Sequence, residues 1–277
     1  MDVRSAISSL GDFLLEHDTF VVLSGAGVST ASGIPDYRDR DGEWKQAQPM
    51  QFGQFKSSDI ARKRYWARSY VGWQHFSRAR PNGAHRALVE LESSGKVDTL
   101  VTQNVDGLHR VAGSRRLIDL HGTLGKVRCM ECDTAYERDR FQKILKRANP
   151  DWHAEVFRYK PDGDAALAES SHEDFSVPGC PACGGPVKPD VVMFGESVPT
   201  ARVRRALSAI DRAAALLVVG SSLMVYSGFR IVCHASARCM PIAILNQGRT
   251  RADDFATLKI HQDCATVLPA ALRLLTA

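Results

Sequence analysis

Residues 19–38 constrain this chain more than any other stretch. Residues 20–23 are a short, apolar, β-branched run of the kind that forms a buried parallel strand. Gly25-Ala26-Gly27 follows at once and lets the backbone turn tightly and approach a ligand with no side chain in the way. Ser29 and Thr30 add hydroxyls where a helix N-terminus would receive phosphate oxygens. The pattern is that of a first strand and phosphate loop in a dinucleotide-binding fold, although Thr30 stands where the usual fingerprint has its third glycine. Alone, Gly-x-Gly is equally a plain tight turn. Gly33-Ile34-Pro35-Asp36-Tyr37-Arg38 tips the balance, because a stiff Ile-Pro pair presents a carboxylate, an aromatic ring and a guanidinium just past the loop.

The chain has 277 residues, 44% of them hydrophobic, enough for one large domain or a large domain with a lobe. A net charge of +5 favours acidic ligands such as a dinucleotide, but no Lys/Arg block argues for nucleic acid. The longest apolar runs are far too short to span a bilayer, and no membrane partner is expected. The N-terminus lacks the basic and apolar regions of a signal peptide. Seven cysteines, four of them in two Cys-x-x-Cys pairs, suit a reducing compartment and a metal better than disulfides, so a cytoplasmic location is expected.

Helical periodicity covers residues 3–16, and residues 39–54 turn polar, with Gly42, Pro49 and Gly53, as a loop and candidate lid over the glycine turn. Residues 60–76 read as a helix, Asn82 starts another that ends at Gly95, and strands follow at 97–102 and 117–120. Between Cys129 and Cys183 the alternation breaks down, with one basic helix at 136–147 and an acidic run at 169–174 read as loop. It resumes with strands at 191–194, 216–219 and 241–245 and helices at 201–214 and 227–237. The expected fold is α/β: a doubly wound, parallel-sheet, Rossmann-like domain from residues 1–122 and 187–277. A helical insertion at about 45–80 and a smaller zinc-binding lobe at 123–186 complete it.

Cys129-x-x-Cys132 and Cys180-x-x-Cys183 are the sharpest metal signal, two thiolate pairs able to complete a tetrahedral S4 site. The spacer between them, residues 133–179, is longer than in a compact zinc ribbon and must loop out or form its own subdomain. With no histidine and no open position, the zinc is read as structural. Gln103-Asn104-Val105-Asp106 brings two amides and a carboxylate to a strand end, to bind ribose hydroxyls, orient a water or merely form a turn. His121, directly after the 117–120 strand, suits a general base, but His85 and His109 are equally visible and the residues alone do not separate the three. Gly220-Ser221-Ser222 and Asn246-Gln247-Gly248 are further strand ends able to face adenosine or phosphate.

Taken in order, Gly25-Ala26-Gly27-Val28-Ser29, Gly33-Ile34-Pro35-Asp36-Tyr37-Arg38, Thr102-Gln103-Asn104-Val105-Asp106, His121-Gly122, the two cysteine pairs, Lys188-Pro189-Asp190-Val191-Val192-Met193-Phe194-Gly195-Glu196 and Gly220-Ser221-Ser222-Leu223 resemble the sirtuins, NAD-dependent protein lysine deacylases. Tyr37-Arg38-Asp39 with Gly42, Arg64-Tyr65-Trp66-Ala67-Arg68, Asn149-Pro150-Asp151-Trp152 and Ile244-Leu245-Asn246 look like the class II, mitochondrial sirtuin-four type. The resemblance implies an enzyme that consumes NAD and releases nicotinamide, free lysine and O-acyl-ADP-ribose. It puts the phosphates over Gly25, Ala26, Gly27, Ser29 and Arg38, beside Tyr37, and the adenosine near Gly220, Ser221, Ser222, Asn246, Gln247 and Gly248, with Cys264 in the final loop as the last adenine-side contact. Asp36 would hold the nicotinamide carboxamide, His121 would deprotonate a ribose hydroxyl, and Gln103, Asn104 and Asp106 would hold ribose and water.

Acylated-lysine proteins or peptides are the implied partners, adding as a strand between Phe194-Gly195-Glu196 and Met224-Val225. Tyr37 and Ser221 stand where many sirtuins carry phenylalanine and threonine. Tyr65 and Arg68 have the Tyr-x-x-Arg spacing by which a desuccinylating branch binds acidic acyl groups, since i and i+3 share a helix face. Packing by Tyr65 and a surface pairing of Arg68 are the competing and favoured reading. Two other functions stay open: a mono-ADP-ribosyltransferase keeping the first half of the reaction, and a non-catalytic zinc- and nucleotide-binding module.

Overall fold

The strand Phe20–Ser24 (β1) is buried along its whole length, as its apolar composition requires of a central parallel strand. In the computed structural model, which describes residues 1–168 and 172–275, it is followed by β2 (Val97–Thr102), β3 (Leu117–Asp119), β4 (Gly122–Cys129) and β5 (Ala135–Glu137). Then come β6 (Arg158–Tyr159), β7 (Ala165–Ala166), β8 (Val187–Val191), β9 (Ala215–Val219), β10 (Ile242–Leu245) and β11 (Leu258–Ile260). The helices are α1 (Val3–Glu16), α2 (Phe52–Ser57), α3 (Asp59–Phe76), α4 (Gly83–Ser93), α5 (Leu108–Ala112), α6 (Arg138–Ala148), α7 (Thr200–Ile210), α8 (Tyr226–Ser236) and α9 (Cys264–Arg273).

Six strands form one sheet in the order β11-β10-β9-β1-β2-β3, all parallel. Chain order reverses between β1 and β9, and in an open α/β sheet the crevice at such a switch point takes the ligand. Both faces are covered. Leu10 and Leu14 of α1, Leu88 and Leu91 of α4 and Val267 and Leu268 of α9 pack with Val22 and Leu100 on one face. Ala206 and Ile210 of α7 and Ile231 and Val232 of α8 pack with Val21, Leu23 and Val218 on the other.

β5, β4 and β8 make a separate antiparallel sheet. Trp66 of α3, Phe141 of α6 and Phe175 share a buried aromatic core with it. Arg138 is buried there without a carboxylate partner among the described residues. Its guanidinium donates to the Ser69 carbonyl at 3.1 Å and lies over the Trp66 and Trp73 rings.

Three expectations change. The expected strand at 191–194 is instead Val187–Val191, in the small sheet; a four-residue apolar run does not say which sheet it joins. Cys264 is not in a loop but is the first residue of α9, behind an Asp263 cap that accepts from the Thr266 N–H. Residues 169–171 of the acidic run lie outside the described residues.

Candidate active site

The glycine turn after β1 and the turn after β9 interlock. Gly27 N–H donates to the Gly220 carbonyl at 2.8 Å, and a Cβ on Gly25 would sit 2.7 Å from Ser221 Cβ. Gly220 has φ 60°, and a Cβ there would lie 2.4 Å from the Val28 nitrogen. Backbone is packed on backbone, so side chains are excluded on steric grounds. Asn82, the cap of α4, braces the turn from behind, donating through Nδ2 to the Val28 carbonyl at 2.7 Å and to Ser32 Oγ at 2.9 Å.

In front of the turn lies a cavity of about 810 Å³, within the size range of small-molecule and cofactor sites. Its lining takes in Gly25, Ala26, Gly27 and Ser29, Asp36 to Arg38, Gln103, Asn104 and Asp106, the Gly220 and Asn246 turns and Cys264. His121 and the two expected peptide walls, Phe194-Gly195-Glu196 and Met224-Val225, line it too. Tyr65 and Arg68 do not. Tyr65 is buried between Phe55 and Trp66, with ring centroids 5.3 and 5.5 Å away, and burial raises its phenol well above the ordinary value. Arg68 is tied to Asp164 Oδ2 at 2.8 Å and to the Ala165 carbonyl at 3.1 Å. Helical spacing put the two on one face, but that face meets the zinc lobe.

Asn104 and Asp106 bind the glycine loop directly. Asn104 Nδ2 donates to the Gly25 carbonyl at 3.0 Å and to Ser29 Oγ at 3.2 Å, and Ser29 Oγ donates to Asp106 Oδ2 at 2.7 Å. The other Asp106 oxygen accepts from Leu108 N–H at 2.8 Å, while burial raises its carboxyl above the usual range. Gln103 Nε2 donates to Ser221 Oγ at 2.8 Å, joining β2 to β9 across β1.

The three histidines are now distinct. His121 Nδ1 lies 2.9 Å from the Gln103 carbonyl, which only accepts, so the proton belongs on Nδ1 and the lone pair on Nε2. Ser227 Oγ stands 2.7 Å from that Nε2. Burial first, and Arg202 less strongly, push His121 down to about 4, so the ring is neutral at pH 7. His85 and His109 are 0% and 1% exposed and lie outside the cavity, their rings 4.8 Å apart. They are core histidines.

The loop at 39–54 docks rather than hangs free. Arg249 N–H donates to the Arg40 carbonyl at 2.7 Å, Arg38 Nη1 donates to the Gly42 carbonyl at 2.6 Å, and Arg38 lies 4.0 Å over the Trp44 ring. Asp36 is paired with Lys45 at 2.5 Å. Trp44 and Lys45, from the loop expected over the glycine turn, and Met193, from the 188–196 motif, line the cavity without having been named as site residues, and Ser227 and Pro161 were missed in the sequence. Pro161 comes from the spacer between the cysteine pairs, where nothing in the local pattern points to a distant cleft.

Away from the cavity, Cys129, Cys132, Cys180 and Cys183 bring their four sulfurs within 4.8 Å of one another. Cys129 and Cys183 are 3.5 Å apart and Cys132 and Cys180 3.7 Å, close to the ~3.8 Å edge of a tetrahedron with Zn–S bonds near 2.3 Å. Backbone N–H groups of Glu131, Ala182 and Gly185 point at the sulfurs, the arrangement that supports thiolates on a metal. The donor set fits zinc.

The family described as "Sir2 family" matches residues 25–227. An NAD-dependent protein deacetylase of Bordetella bronchiseptica is 55% identical over 269 residues, 97% of this chain and 98% of that one. The NAD-dependent protein lipoamidase sirtuin-4, mitochondrial, of Bos taurus is 46% identical over 95% of this chain and 84% of its own. A solved structure described as Sir2, p53 peptide and NAD+ superposes with a TM-score of 0.75 at 30% identity, covering 98% of this chain and 97% of that one.

Proposed function

Because this chain belongs to the Sir2 family, we propose that it is an NAD-dependent protein lysine deacylase that removes acetyl groups from protein lysines. The observation that carries the reading is His121, a neutral base that lines the cavity with the glycine turn and the peptide walls, its Nε2 lone pair held by no more than the Ser227 hydroxyl.

Bound NAD would supply an electrophilic ribose carbon for the acyl oxygen, with nicotinamide as the leaving group. The cavity volume, its glycine floor and its polar rim fit that molecule. Ser29 and the turn amides would face the diphosphate, Asp36 the carboxamide, and the Gly220–Ser222 and Asn246–Gly248 turns with Cys264 the adenosine. His121 Nε2 would accept a proton from a ribose hydroxyl that takes the place of the Ser227 hydroxyl, while the Gln103 carbonyl holds the ring through Nδ1–H. Asn104 and Asp106 act first as ties that fix the loop, since each already bonds to it. The peptide adds as a strand between Gly195-Glu196 and Met224-Val225, read by backbone hydrogen bonds. Zinc on the four cysteines holds residues 123–186 as a lobe and takes no part in the chemistry. No described helix is long and apolar enough to cross a membrane. A cytoplasmic location, with its reducing environment, is part of this proposal.

The test is a mass-spectrometric panel of peptides bearing acetyl, succinyl, lipoyl or long-chain acyl lysine, with NAD. NAD-dependent loss of acetyl with matching O-acetyl-ADP-ribose is expected. His121→Ala should still bind NAD yet lose about 10²- to 10⁴-fold in kcat. ADP-ribose appearing on protein with no acyl loss would put the transferase in its place.

A further inference from the structure

We propose that the cleft wall beyond Val225 is a docking surface for acidic residues beside the acyl-lysine, so that preferred protein substrates carry a carboxylate within a few positions of the modified side chain. This rests on the deacylase reading above.

Val225 leads straight into α8, whose first residue, Tyr226, lines the cavity rim and is 56% exposed. Two guanidiniums stack on the shelf it begins. Arg230 lies 5.0 Å from the Tyr226 ring centroid, and Arg251 lies 5.8 Å from that ring and 4.4 Å from Phe229. Phe255, 40% exposed, extends the shelf 5.8 Å beyond Phe229.

Among the described residues no carboxylate lies within ion-pair distance of Arg230 or Arg251, although Arg68, Arg110, Arg128, Arg212 and Arg238 each have an aspartate. Arg230 is half-buried with its Nε enclosed and unpartnered, so Arg251, which is exposed, is the guanidinium most open to a peptide. Stacking on an aromatic face orients a guanidinium while leaving its N–H edge free, the geometry that takes a carboxylate in bidentate fashion. Of the two acids that closely follow Arg251 in the chain, Asp253 is paired with Lys259 at 2.7 Å, and Asp254 is exposed with no ion pair among the described residues.

The opposite wall adds no competing charge, because Glu196 is neutralised by Lys188 at 3.0 Å. A peptide strand held between Glu196 and Val225 therefore meets its unpaired cations on the Tyr226 side. At about 3.3 Å per residue, a side chain one to three positions from the lysine reaches Tyr226 and the arginines.

The experiment compares kcat/KM for acetyl-lysine peptides with aspartate or asparagine placed singly from three positions before the lysine to three after it. At about 0.05 M salt one flank should favour aspartate about fivefold, through KM, and the ratio should shrink towards one at about 0.5 M. Arg251→Glu should bring that ratio below one, and Arg251→Gln should bring it near one. Equal turnover of aspartate and asparagine peptides at every position, or a ratio unmoved by both variants and by salt, would overturn the surface. No turnover of any acetyl peptide would overturn the deacylase reading itself.

Discussion

His85 and His109 make acid stability a sharp test of how this site is supported. Both rings are buried behind the glycine turn, and burial pushes them down to about 4 and about 3. His85 Nδ1 accepts from the Asn82 N–H at 3.3 Å, and His109 Nε2 lies 2.8 Å from Ser24 Oγ, at the end of β1. His109 Nδ1 has no partner, so its added proton faces only the second ring; His85 Nε2, also unpartnered, already carries the neutral ring's proton, so an added proton on His85 goes to Nδ1 and breaks the bond from the Asn82 N–H.

The folded chain keeps both rings neutral while the unfolded chain protonates them below about 6.5, so unfolding takes up protons and stability falls as pH falls. The loss begins near the unfolded value and levels off below the folded values. At about pH 5 each ring is some 1.5 units below 6.5, and at 1.36 kcal/mol per unit the pair costs on the order of 4 kcal/mol. That is a large part of the 5–15 kcal/mol typical of a domain. The assay is urea unfolding, followed by tryptophan fluorescence, at about pH 7.5 and about pH 5. The comparison is the double variant His85→Asn, His109→Gln, chosen so that each amide keeps the hydrogen bond its ring now makes. Wild type should lose several kcal/mol more than the variant over this interval, and acid effects elsewhere cancel in the difference. Equal losses would refute the claim that buried, half-satisfied imidazoles carry the acid sensitivity.

Cys183→Ala should drop bound zinc from one ion per chain to none by elemental mass spectrometry, with loss of the lobe's protection from protease; a metal-free, fully active protein would refute a structural zinc. Arg68→Met should destabilise by about 3 kcal/mol, because it strands the buried Asp164 carboxylate. The same variant should leave the acetyl-over-succinyl preference of wild type unchanged, and a succinyl preference in wild type would return Arg68 to the substrate. Gly220→Ala should cost about 1–3 kcal/mol in a melting experiment and weaken NAD binding, since its Cβ would strike Val28 at a left-handed φ; unchanged melting would mean that the two turns can part cheaply.

The division between sequence and tertiary structure follows the range of the interactions. Residues 20–38 announced a strand, a glycine turn and a ligand face because each signal is local: β-branched burial, missing side chains and a rigid Ile-Pro step. The two Cys-x-x-Cys pairs announced a metal for the same reason, each knuckle being complete within four residues. The ordered motifs resembled the sirtuins across nearly the whole chain, and the Sir2 family match covers residues 25–227.

Periodicity and spacing left the three histidines level, the sirtuin resemblance picked His121, and the folded chain gave the physical reason. His121 faces the cavity and His85 and His109 do not, because sheet order, not sequence spacing, decides which strand ends meet. Tyr65 and Arg68 show the converse: helical spacing fixes which residues share a face, but the zinc lobe that covers the face arrives from more than sixty positions away. Ser227 beside His121, Arg40 against Gly248, Pro161 at the cavity wall and the stacked Arg230 and Arg251 are contacts of the same kind. Local chemistry wrote the parts of this site into the sequence. Long-range packing decided which of them face the cavity.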